Sequence, residues 1–485
     1  MGLKLLQYIL SFTIGEFRTV PKIPNKLVIF KGQSLEFPVT QTKIWKIRRN
    51  KKVEKCLLLG NGGREAVLAE YISKGYELYT VCPYENPSII EMVKKSGGKY
   101  IVADPFNKEI VSNFIKENNI EVCLISSDNL LQDGLIDVAR SLGLKTFGPT
   151  SKGAKIEWSK TYALDIVEKI APEMIIKNYN ITDINELKGI IDSYSDDSFV
   201  VKPEGLTGGK GVKVGGIHFK GKEEGFEYAK SCLEISGNVI IQDKIEGREF
   251  TVMALTDGEN IVVTPTTFDY PYRFNEDKGP GTGGMGCLSF ENGMLPFLEQ
   301  KDIDECSKLI KETLKYINKD DLEFNGVIYG GFFKTKNGIK FIEFNSRFGD
   351  PEALNVLNSL ETPFSEVMKN IFNKTLSTEN CKFKKECTFT VYIVTKEYAV
   401  ENRKEPLEFT INRKAIEDQG VKIYFANTKK VEDDKYSSVS NSRLFALTTS
   451  GKNLQETKEK VYKAMQGNID NKLDYRTDIG NIYEH

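Results

Sequence analysis

The sequence has very little histidine and no paired cysteines, and both absences restrict its chemistry. His218 and His485 are its 2 histidines in 485 residues, so catalysis by an imidazole or a histidine-based metal site is not expected. The 8 cysteines are scattered without a CxxC pair, which indicates neither a zinc knuckle nor a disulfide framework. We interpret them as reduced thiols and expect the chemistry to come from carboxylates, lysine, arginine and backbone amides.

A strong charge imbalance and a long apolar run are also missing. The formal net charge is -1, which gives no global electrostatic reason to expect a nucleic-acid partner. No apolar stretch approaches the roughly 20 residues needed to cross a bilayer. We therefore expect a cytoplasmic protein that acts on small molecules, without nucleic-acid or membrane partners, and that exists as a monomer or a weak homodimer.

Residues 1–52 form a basic extension in which only Glu16 and Glu36 are acidic. Its apolar stretch LLQYILSF resembles a weak signal-like region, but a small-x-small cleavage site does not follow it. A targeting role, an appendage and a misassigned start codon all stay open for this segment.

Between residues 54 and 150, apolar runs alternate with helical patterns. The run at 56–59 leads into GNGGRE, residues 60–65, and then into apolar residues at helical spacing. Further strand-like runs follow, which predicts a small parallel α/β domain. The amides and helix N-terminus at GNGGRE suit an anion such as phosphate, although an ordinary tight connection explains the turn alone equally well.

Two more glycine-rich segments lie further along the chain. A helix predicted from Lys155 to about Ala171 carries Lys160 and precedes SFVVKPEGLTGGKGVKV, residues 198–214. That segment predicts a hairpin whose amides and ammonium groups can cover phosphates, with a flexible surface hairpin as the alternative. The glycines of GPGTGGMG, residues 279–286, favour close approach of the backbone to a ligand.

The run IEFNSRFGDPE, residues 342–352, places several charged and amide side chains in and just after a strand. Side chains alternate between the faces of a strand, so Glu343 and Asn345 point one way while Ile342 and Phe344 point the other. The run therefore has one apolar face and one face with a carboxylate and an amide.

The remaining region, about 383 to 478, alternates strand patterns with a helix near residues 454–465. It shows no concentrated chemistry, and residues 436–443 are interpreted as a polar loop.

In this order the segments resemble the ATP-grasp ligases and, within them, the glycinamide ribonucleotide synthetase family. The resemblance runs from about Lys55 to the C-terminus. It implies a multidomain α/β and α+β protein, in which an ATP-grasp fold follows a small Rossmann-like parallel α/β domain and precedes a C-terminal α+β domain. The implied boundaries are 53–150, 151–370 with a lid at about 175–245, and 380–485. The motifs that carry the resemblance are GNGGRE, GPT (148–150), VKPEGLTGGKGV (201–212), EGREFTV (246–252), GPGTGGMG, EFNSRFGDPE (343–352) and RTDIG (476–480).

The resemblance implies a reaction that joins glycine to 5-phosphoribosylamine through a glycyl phosphate, with ATP converted to ADP and phosphate and with Mg²⁺ or Mn²⁺ as the metal. It implies catalytic roles for Arg347 and Lys202, and metal ligation by Glu343 and Asn345. The implied ATP-binding residues are Lys160, Lys202, Gly205, Gly208, Gly209, Gly211, Asp243 and Glu249. The implied substrate-binding residues are Gly62, Gly63, Arg64, Glu65, Asp269, Thr282, Gly283, Gly284, Met285, Gly286, Arg347, Asp350 and Glu352.

Asp350 and Glu352 have a less specific role in this interpretation. They are expected to orient Arg347 or to hold a substrate ammonium, with an N-cap role for Asp350 before Pro351 as the alternative.

The sequence also departs from the family pattern at four places. Ala66 replaces a histidine, Gly281 replaces an asparagine, and Gln242-Asp243-Lys244 replaces Glu-Glu-Phe. The segment corresponding to QDHKR reads FDYPY from Phe268 to Tyr272, with Arg273 displaced by one residue. Two alternatives therefore stay open: another ATP-grasp carboxylate-amine ligase with a changed substrate, and a catalytically silent nucleotide-binding regulatory protein.

Overall fold

The computed structural model describes residues 53–208, 211–320 and 324–481. The basic extension 1–52 and the predicted ATP-binding residue Gly209 lie outside these ranges. Within the described part of the chain, each helix is too short or too polar to cross a membrane.

The first unit is a five-stranded parallel sheet in the order β3-β2-β1-β4-β5 with helices around it, as the alternation of apolar runs predicts. The central strand β1 is buried because its leucines contact helices on both faces. The GNGGRE turn follows β1 at the carboxyl edge of the sheet, where open α/β sheets bind ligands. The elements are β1 Lys55–Leu59, α1 Gly63–Ser73, β2 Glu77–Cys82, α2 Pro87–Ser96, β3 Tyr100–Val102, α3 Lys108–Asn118, β4 Val122–Ile125, α4 Asp128–Gln132, α5 Leu135–Ser141 and β5 Lys145–Phe147.

The lid is a separate antiparallel sheet with its own apolar core. Its order, β6-β9-β7-β8, makes the predicted hairpin of residues 198–214 one edge of the sheet. The lid and the two helices before it comprise α6 Lys155–Trp158, α7 Lys160–Ile170, β6 Asn178–Ile181, α8 Ile184–Ser193, β7 Phe199–Pro203, β8 Lys213–Val214, α9 Gly221–Ser236 and β9 Val239–Asp243, with a 3₁₀ turn at Pro172–Met174.

The helix predicted as continuous from Lys155 is interrupted at Ser159. Its backbone is extended, with φ -115° and ψ 98°, and its hydroxyl caps α7 by accepting from the Tyr162 amide at 3.3 Å. The same hydroxyl donates to Glu204 Oε1 at 2.7 Å. The break therefore connects the start of α7 to the start of the glycine hairpin.

The third sheet has the order β11-β10-β16-β17, and its edge strand β17 carries Glu343 and Asn345. Strands β16 and β17 form a hairpin around Asn337-Gly338, as predicted. The elements from this sheet to the next are β10 Arg248–Thr256, β11 Ile261–Val263, β12 Phe268–Asp269, β13 Tyr272–Phe274, β14 Lys278–Gly281, β15 Gly286–Ser289, α10 Gln300–Ile317, β16 Gly326–Thr335 and β17 Gly338–Asn345, with 3₁₀ turns at Asn275–Asp277 and Asn318–Asp320.

The last sheet joins the middle of the chain to the C-terminal region. Strands β12 and β15 continue the C-terminal strands in the order β12-β15-β18-β23-β20, so the glycine loop 279–286 is fixed directly to the C-terminal part. The elements are α11 Glu352–Ser359, α12 Phe364–Phe372, β18 Cys387–Thr395, β19 Glu408–Thr410, α13 Arg413–Glu417, β20 Lys422–Phe425, β21 Thr428–Glu432, β22 Lys435–Ser438, β23 Phe445–Gly451, α14 Leu454–Met465 and β24 Leu473–Asp474.

Glu70 on α1 connects the first unit to β20. Its carboxylate accepts from the Tyr424 hydroxyl at 2.6 Å and from Lys422 Nζ at 2.8 Å, and Lys74 Nζ also donates at 2.8 Å. Burial raises the pKa of Glu70, but the charge of Lys422 and the three hydrogen bonds outweigh it and lower the pKa to about 2.

Glu70→Gln is expected to lower the free energy of unfolding by about 1–3 kcal/mol near neutral pH. Because the folded pKa lies below the ordinary value for a glutamate, this stabilisation is complete above about pH 5 and is lost as the pH falls toward 2. Urea unfolding of wild type and variant at several pH values measures the difference, with the exposed Glu234→Gln as the control. A difference that stayed constant down to the acid limit would contradict the assignment.

Candidate active site

Lys202 lies in strand β7 of the lid sheet, within electrostatic range of Lys160, Glu249 and Glu343. It is buried in β7, and burial lowers its pKa to about 8, with the Lys160 charge adding to that effect and the carboxylates of Glu343 and Glu249 opposing it. Solvent reaches the Glu249 side chain, yet desolvation by the surrounding protein and the charge of Glu343 raise its pKa to about 7. The predicted nucleotide-contacting lysines and the predicted metal strand therefore lie within electrostatic range of each other.

The glycine hairpin is anchored at both ends in the described residues. Lys160 Nζ donates to the carbonyl oxygen of Gly205 at 2.7 Å, so its ammonium lies at the base of the hairpin. At the other end, the Tyr228 hydroxyl donates to the carbonyl oxygen of Gly211 at 2.6 Å. Gly208 is exposed between them. The described ends of the hairpin are therefore fixed by one side-chain hydrogen bond each.

Glu343 and Asn345 share one face of β17, as the alternation predicts. The Asn345 Nδ2 group donates to Glu343 Oε1 at 3.2 Å, which leaves the amide oxygen and the second carboxylate oxygen as acceptors. In the described ranges no group of three or more His, Cys, Asp or Glu side chains could enclose a metal. Carboxylate and amide oxygens are hard donors, so the pair fits a hard cation such as Mg²⁺, whose remaining ligands would be phosphate oxygens and water.

Arg347 lies beside two acids that the sequence interpretation left out. Its Nη2 is 2.9 Å from Glu157 Oε1 and 4.0 Å from Asp128 Oδ2. Glu157 Oε2 accepts from both the amide and the hydroxyl of Ser346, at 2.9 and 2.7 Å. Arg347 Nη1 donates to the carbonyl oxygen of Phe348 at 3.2 Å, and among the described residues the buried Nε has no hydrogen-bond partner.

The two acids beside Arg347 differ in their pKa. Burial raises the pKa of Glu157, and the nearby Arg347 charge only partly offsets this. Burial also opposes ionisation of Asp128, but the charges of Arg347 and Arg64 lower the pKa of that group. Arg347 thus keeps one firmly ionised partner and one that accepts a proton more readily.

The side-chain partners that the structure gives Asp350 are Tyr392 and Arg443, not Arg347, and its alternative role of holding a substrate ammonium stays a prediction. Its Oδ1 accepts from the Tyr392 hydroxyl at 2.6 Å, and its Oδ2 lies 3.2 Å from Arg443 Nη2. Nor does it cap the following helix, because Pro351 occupies the N-cap position of α11 and the helix has no side-chain cap. Residues after a strand can turn in several directions, and here the chain turns Asp350 toward the C-terminal sheet.

Glu352 and Asp269 form an acidic pair near the glycine loop. Burial raises the pKa of both, and the Glu352 charge raises the pKa of Asp269 further. In the part of the chain that the structure describes, Asp269 Oδ1 has no hydrogen-bond partner. A Cβ at Gly284 would lie 2.6 Å from this oxygen, so only glycine fits there. Asp269 is half-buried, and a carboxylate oxygen without a partner beside a second acid is suited to a cationic group such as an ammonium.

The GNGGRE turn lies against the segment that follows the metal strand. The Gly62 amide donates to Glu65 Oε2 at 2.8 Å, and Arg64 Nε donates to Glu65 Oε1 at 2.8 Å. Arg64 Nη1 also reaches the carbonyl oxygen of Phe348 at 3.1 Å. Gly63 approaches Tyr392 closely, since a Cβ there would be 2.0 Å from its hydroxyl oxygen.

Other predicted ligand residues have structural partners. The Thr282 hydroxyl donates to the Pro271 carbonyl oxygen at 2.8 Å, and Asp243 Oδ1 accepts from the Tyr194 hydroxyl at 2.7 Å. Met285 is fully buried in a small cluster with Val394 and Tyr398, so its side chain belongs to the core. Gly286 begins β15, and the carbonyl oxygen of Gly283 accepts a hydrogen bond from Arg443.

The displaced Arg273 is also a structural residue. It is 1% exposed and donates to the carbonyl oxygen of Tyr398 and to Asp474, at 3.0 and 2.7 Å.

The site includes four residues to which the sequence analysis gave no role: Asp128, Glu157, Tyr392 and Arg443. No local pattern marks them, and Arg443 lies in the segment interpreted as a polar loop. Their contacts with the site span long separations along the chain, such as 93 positions between Asp350 and Arg443. The C-terminal region therefore contributes directly to the site.

Comparison with known families gives three consecutive matches. Residues 54–157 match the family model described as phosphoribosylglycinamide synthetase, N domain. Residues 158–353 match its ATP-grasp (A) domain, and residues 388–482 match its C domain. The matches cover most of the chain and confirm the predicted fold class and resemblance.

Comparison with individual proteins identifies relatives of the same family. The chain is 33% identical to a phosphoribosylamine-glycine ligase of Thermococcus gammatolerans over 429 residues, 88% of this chain and 94% of that protein. It is 35% identical to the protein of that name from Methanobrevibacter smithii, over 88% of this chain and 96% of the relative. The crystal structure of a phosphoribosylamine-glycine ligase from Thermotoga maritima has a TM-score of 0.70 at 24% identity, covering 87% of this chain and 99% of that one.

Proposed function

The chain belongs to the phosphoribosylglycinamide synthetase family, and we propose on that basis that it joins glycine to 5-phosphoribosylamine in purine biosynthesis. ATP is converted to ADP and phosphate in this reaction, and glycinamide ribonucleotide is the product. The observation that carries the proposal at the site is that the buried Lys202 lies within electrostatic range of Glu343 and Glu249, and that Glu343 shares one strand face with Asn345, 3.2 Å away. A catalytically silent nucleotide-binding protein has no chemical need for that arrangement.

The chemistry requires an activated carboxylate. Glycine's carboxylate is a poor acyl donor because its leaving group would be oxide or hydroxide. Transfer of the γ-phosphoryl group to a carboxylate oxygen releases ADP and gives glycyl phosphate. The amine of phosphoribosylamine then attacks the acyl carbon, phosphate leaves with the C–O bond electrons, and the amine loses a proton. Positioning and charge neutralisation provide most of the catalysis in phosphoryl transfer.

The residues divide these tasks in our proposal. Lys202 and the hairpin of residues 205–211 cover the ATP phosphates and exclude water, because an acyl phosphate hydrolyses readily. Arg347 stabilises the transferring phosphoryl group through the charge of its guanidinium. Asp269 and Glu352 receive the glycine ammonium, and the GNGGRE turn binds phosphoribosylamine.

Glu343 and Asn345 would hold Mg²⁺ or Mn²⁺, which neutralises phosphate charge when bound. Lys160, Asp243 and Glu249 complete the nucleotide site in the same proposal.

The proposal extends to the arrangement of the protein. It divides the chain into residues 53–150, 151–370 with the lid at about 175–245, and 380–485, and the three family matches support this division. We also propose that the protein is located in the cytoplasm and that it is a monomer or a weak homodimer.

The direct test is ADP release from ATP and Mg²⁺, with glycine and freshly generated phosphoribosylamine each present or omitted. Release that requires both substrates, together with mass-spectrometric detection of glycinamide ribonucleotide, would establish the reaction. Release with a different amine or carboxylate would instead favour a ligase with changed substrates. ATP binding without turnover under any combination would favour the silent regulatory protein.

Lys202→Ala is expected to raise the KM for ATP about tenfold and to lower kcat by 10- to 100-fold, because a buried ammonium at the phosphate site is lost. Steady-state kinetics with ATP varied at saturating glycine measures both constants. The control is Lys188→Ala, which removes an exposed lysine on lid helix α8. Unchanged ATP kinetics in the Lys202 variant would remove this residue from the nucleotide site.

A further inference from the structure

Arg443 enters the site from the segment just before β23 in the C-terminal part. Its side chain is 13% exposed, and its guanidinium reaches two separate parts of the chain. It donates to the carbonyl oxygens of Gly283 and Gly284 in the glycine loop, the latter at 2.9 Å. It also donates to the carbonyl oxygen of Asp350 at 2.8 Å and pairs with the carboxylate of that residue at 3.2 Å.

Tyr392 brings a third segment to this point. The Arg443 guanidinium carbon lies 4.2 Å from the centre of the Tyr392 ring, within the range of a cation–π contact. The Tyr392 hydroxyl donates to Asp350 Oδ1 at 2.6 Å and lies directly over Gly63 of the GNGGRE turn. The turn from the first unit, the glycine loop and Asp350 therefore meet around one arginine and one tyrosine.

The orientation of Asp350 depends on both of these side chains. Tyr392 fixes one carboxylate oxygen and Arg443 fixes the other. The oxygen that pairs with Arg443 also faces the turn, since a Cβ at Gly62 would lie 3.6 Å from it. A carboxylate with a hydrogen bond on one oxygen and an ion pair on the other has little freedom to rotate.

Only a planar, multiply donating cation can make this set of contacts. The five N–H donors of a guanidinium point in fixed directions, so one side chain can serve several carbonyl oxygens and a carboxylate at once while its face packs on an aromatic ring. A lysine ammonium keeps the charge but cannot reproduce this geometry.

We propose that Arg443, together with Tyr392, is a positioning residue that fixes Asp350 and the loop of residues 279–286 against the GNGGRE turn and so forms the phosphoribosyl side of the substrate site. This inference rests on the proposed function. It assigns to the C-terminal part a direct role in substrate affinity, and nucleotide affinity is expected to depend little on Arg443.

Calorimetry with glycinamide ribonucleotide and, separately, with ADP and Mg²⁺ tests the proposal. Arg443→Met is expected to weaken glycinamide ribonucleotide binding about 10-fold or more, since hydrogen bonds to charged groups are lost. ADP affinity should stay within about threefold of wild type, because the nucleotide residues are on other elements. Arg443→Lys should recover only part of the loss, and the KM for phosphoribosylamine should rise more than kcat falls.

Tyr392→Phe keeps the test decisive if the arginine variant folds poorly, because it removes a single oxygen atom. It should weaken glycinamide ribonucleotide binding in the same direction and leave ADP binding unchanged. Arg413→Met is the matched control: Arg413 also joins the C-terminal part to the first unit, through Glu91 at 2.7 Å, but at a different place.

The outcomes separate this inference from the proposed function. Wild-type protein that neither binds glycinamide ribonucleotide nor forms it would overturn the proposed function, and the inference would fall with it. Active wild type combined with variants that bind glycinamide ribonucleotide normally would overturn the inference alone. An equal loss of ADP and glycinamide ribonucleotide affinity in Tyr392→Phe would also overturn it, since that result indicates a general structural role.

Discussion

Replacing Glu343 by alanine is expected to lower turnover about 10³-fold while the protein stays folded, because a lost metal–phosphate contact removes several kcal/mol of transition-state stabilisation. Glu343 is only partly buried, and its described side-chain hydrogen bond is the one from Asn345. Its removal therefore leaves no large cavity and one amide without a partner. The effect should appear in catalysis and metal dependence more than in stability.

The measurement is ADP release as a function of Mg²⁺ and Mn²⁺ concentration, with thermal unfolding measured in parallel. Glu343→Asp keeps a carboxylate on a shorter side chain, so it should retain some activity at a higher metal concentration. Glu305→Ala, an exposed carboxylate on helix α10, should behave as wild type. Activity of Glu343→Ala near the wild-type value at saturating Mg²⁺ would show that this strand does not hold the metal.

The sequence predicts this strand well because the relevant signal is local. Side chains alternate along a strand, so two residues at i and i+2 share a face wherever the strand lies. The Asn337-Gly338 turn then fixes the strand as one arm of a hairpin. The structure adds that Lys202, from a different sheet, lies within electrostatic range of Glu343.

The positions of Arg443 and Tyr392 could not be predicted in the same way. Both residues lie in a region whose local patterns are those of ordinary strands and loops, and their importance comes from pairing across the fold. The motif that contains Asp350 could be recognised from the sequence, but its partners could not. They follow from the sheet β12-β15-β18-β23-β20, whose strand order no local periodicity encodes. Sequence order identified the parts, and tertiary packing determined which parts meet.

The break at Ser159 is an intermediate case. Helical periodicity continues through this position, so a single helix is the simplest prediction. Serine is also a preferred N-cap residue, and its hydroxyl here serves α7 and Glu204 together. A serine inside a helical periodic pattern can therefore mark a helix start, as Ser159 does here while also bonding Glu204 beside the glycine hairpin.

Arg347→Met is expected to reduce kcat by about 10²–10³-fold, because the guanidinium that faces the transferring phosphoryl group contributes charge stabilisation of roughly 3–4 kcal/mol. Arg347→Lys should still lose about 10²-fold, since an ammonium restores the charge but not the paired N–H donors. Single-turnover measurement of ADP formation isolates this step from product release.

A structural explanation of the Arg347 result can be tested separately through Glu157. Removing Arg347 leaves Glu157 without its ion-pair partner, and an unpaired buried charge commonly lowers stability by about 3–5 kcal/mol. Burial already raises the pKa of Glu157, so in the variant this carboxyl can take up a proton and avoid most of that loss. Glu157→Gln removes the same ion pair but keeps Arg347. If Glu157→Gln lost as much kcat as Arg347→Met, the arginine would act through packing, whereas retained turnover in Glu157→Gln would show that Arg347 itself stabilises the phosphoryl group.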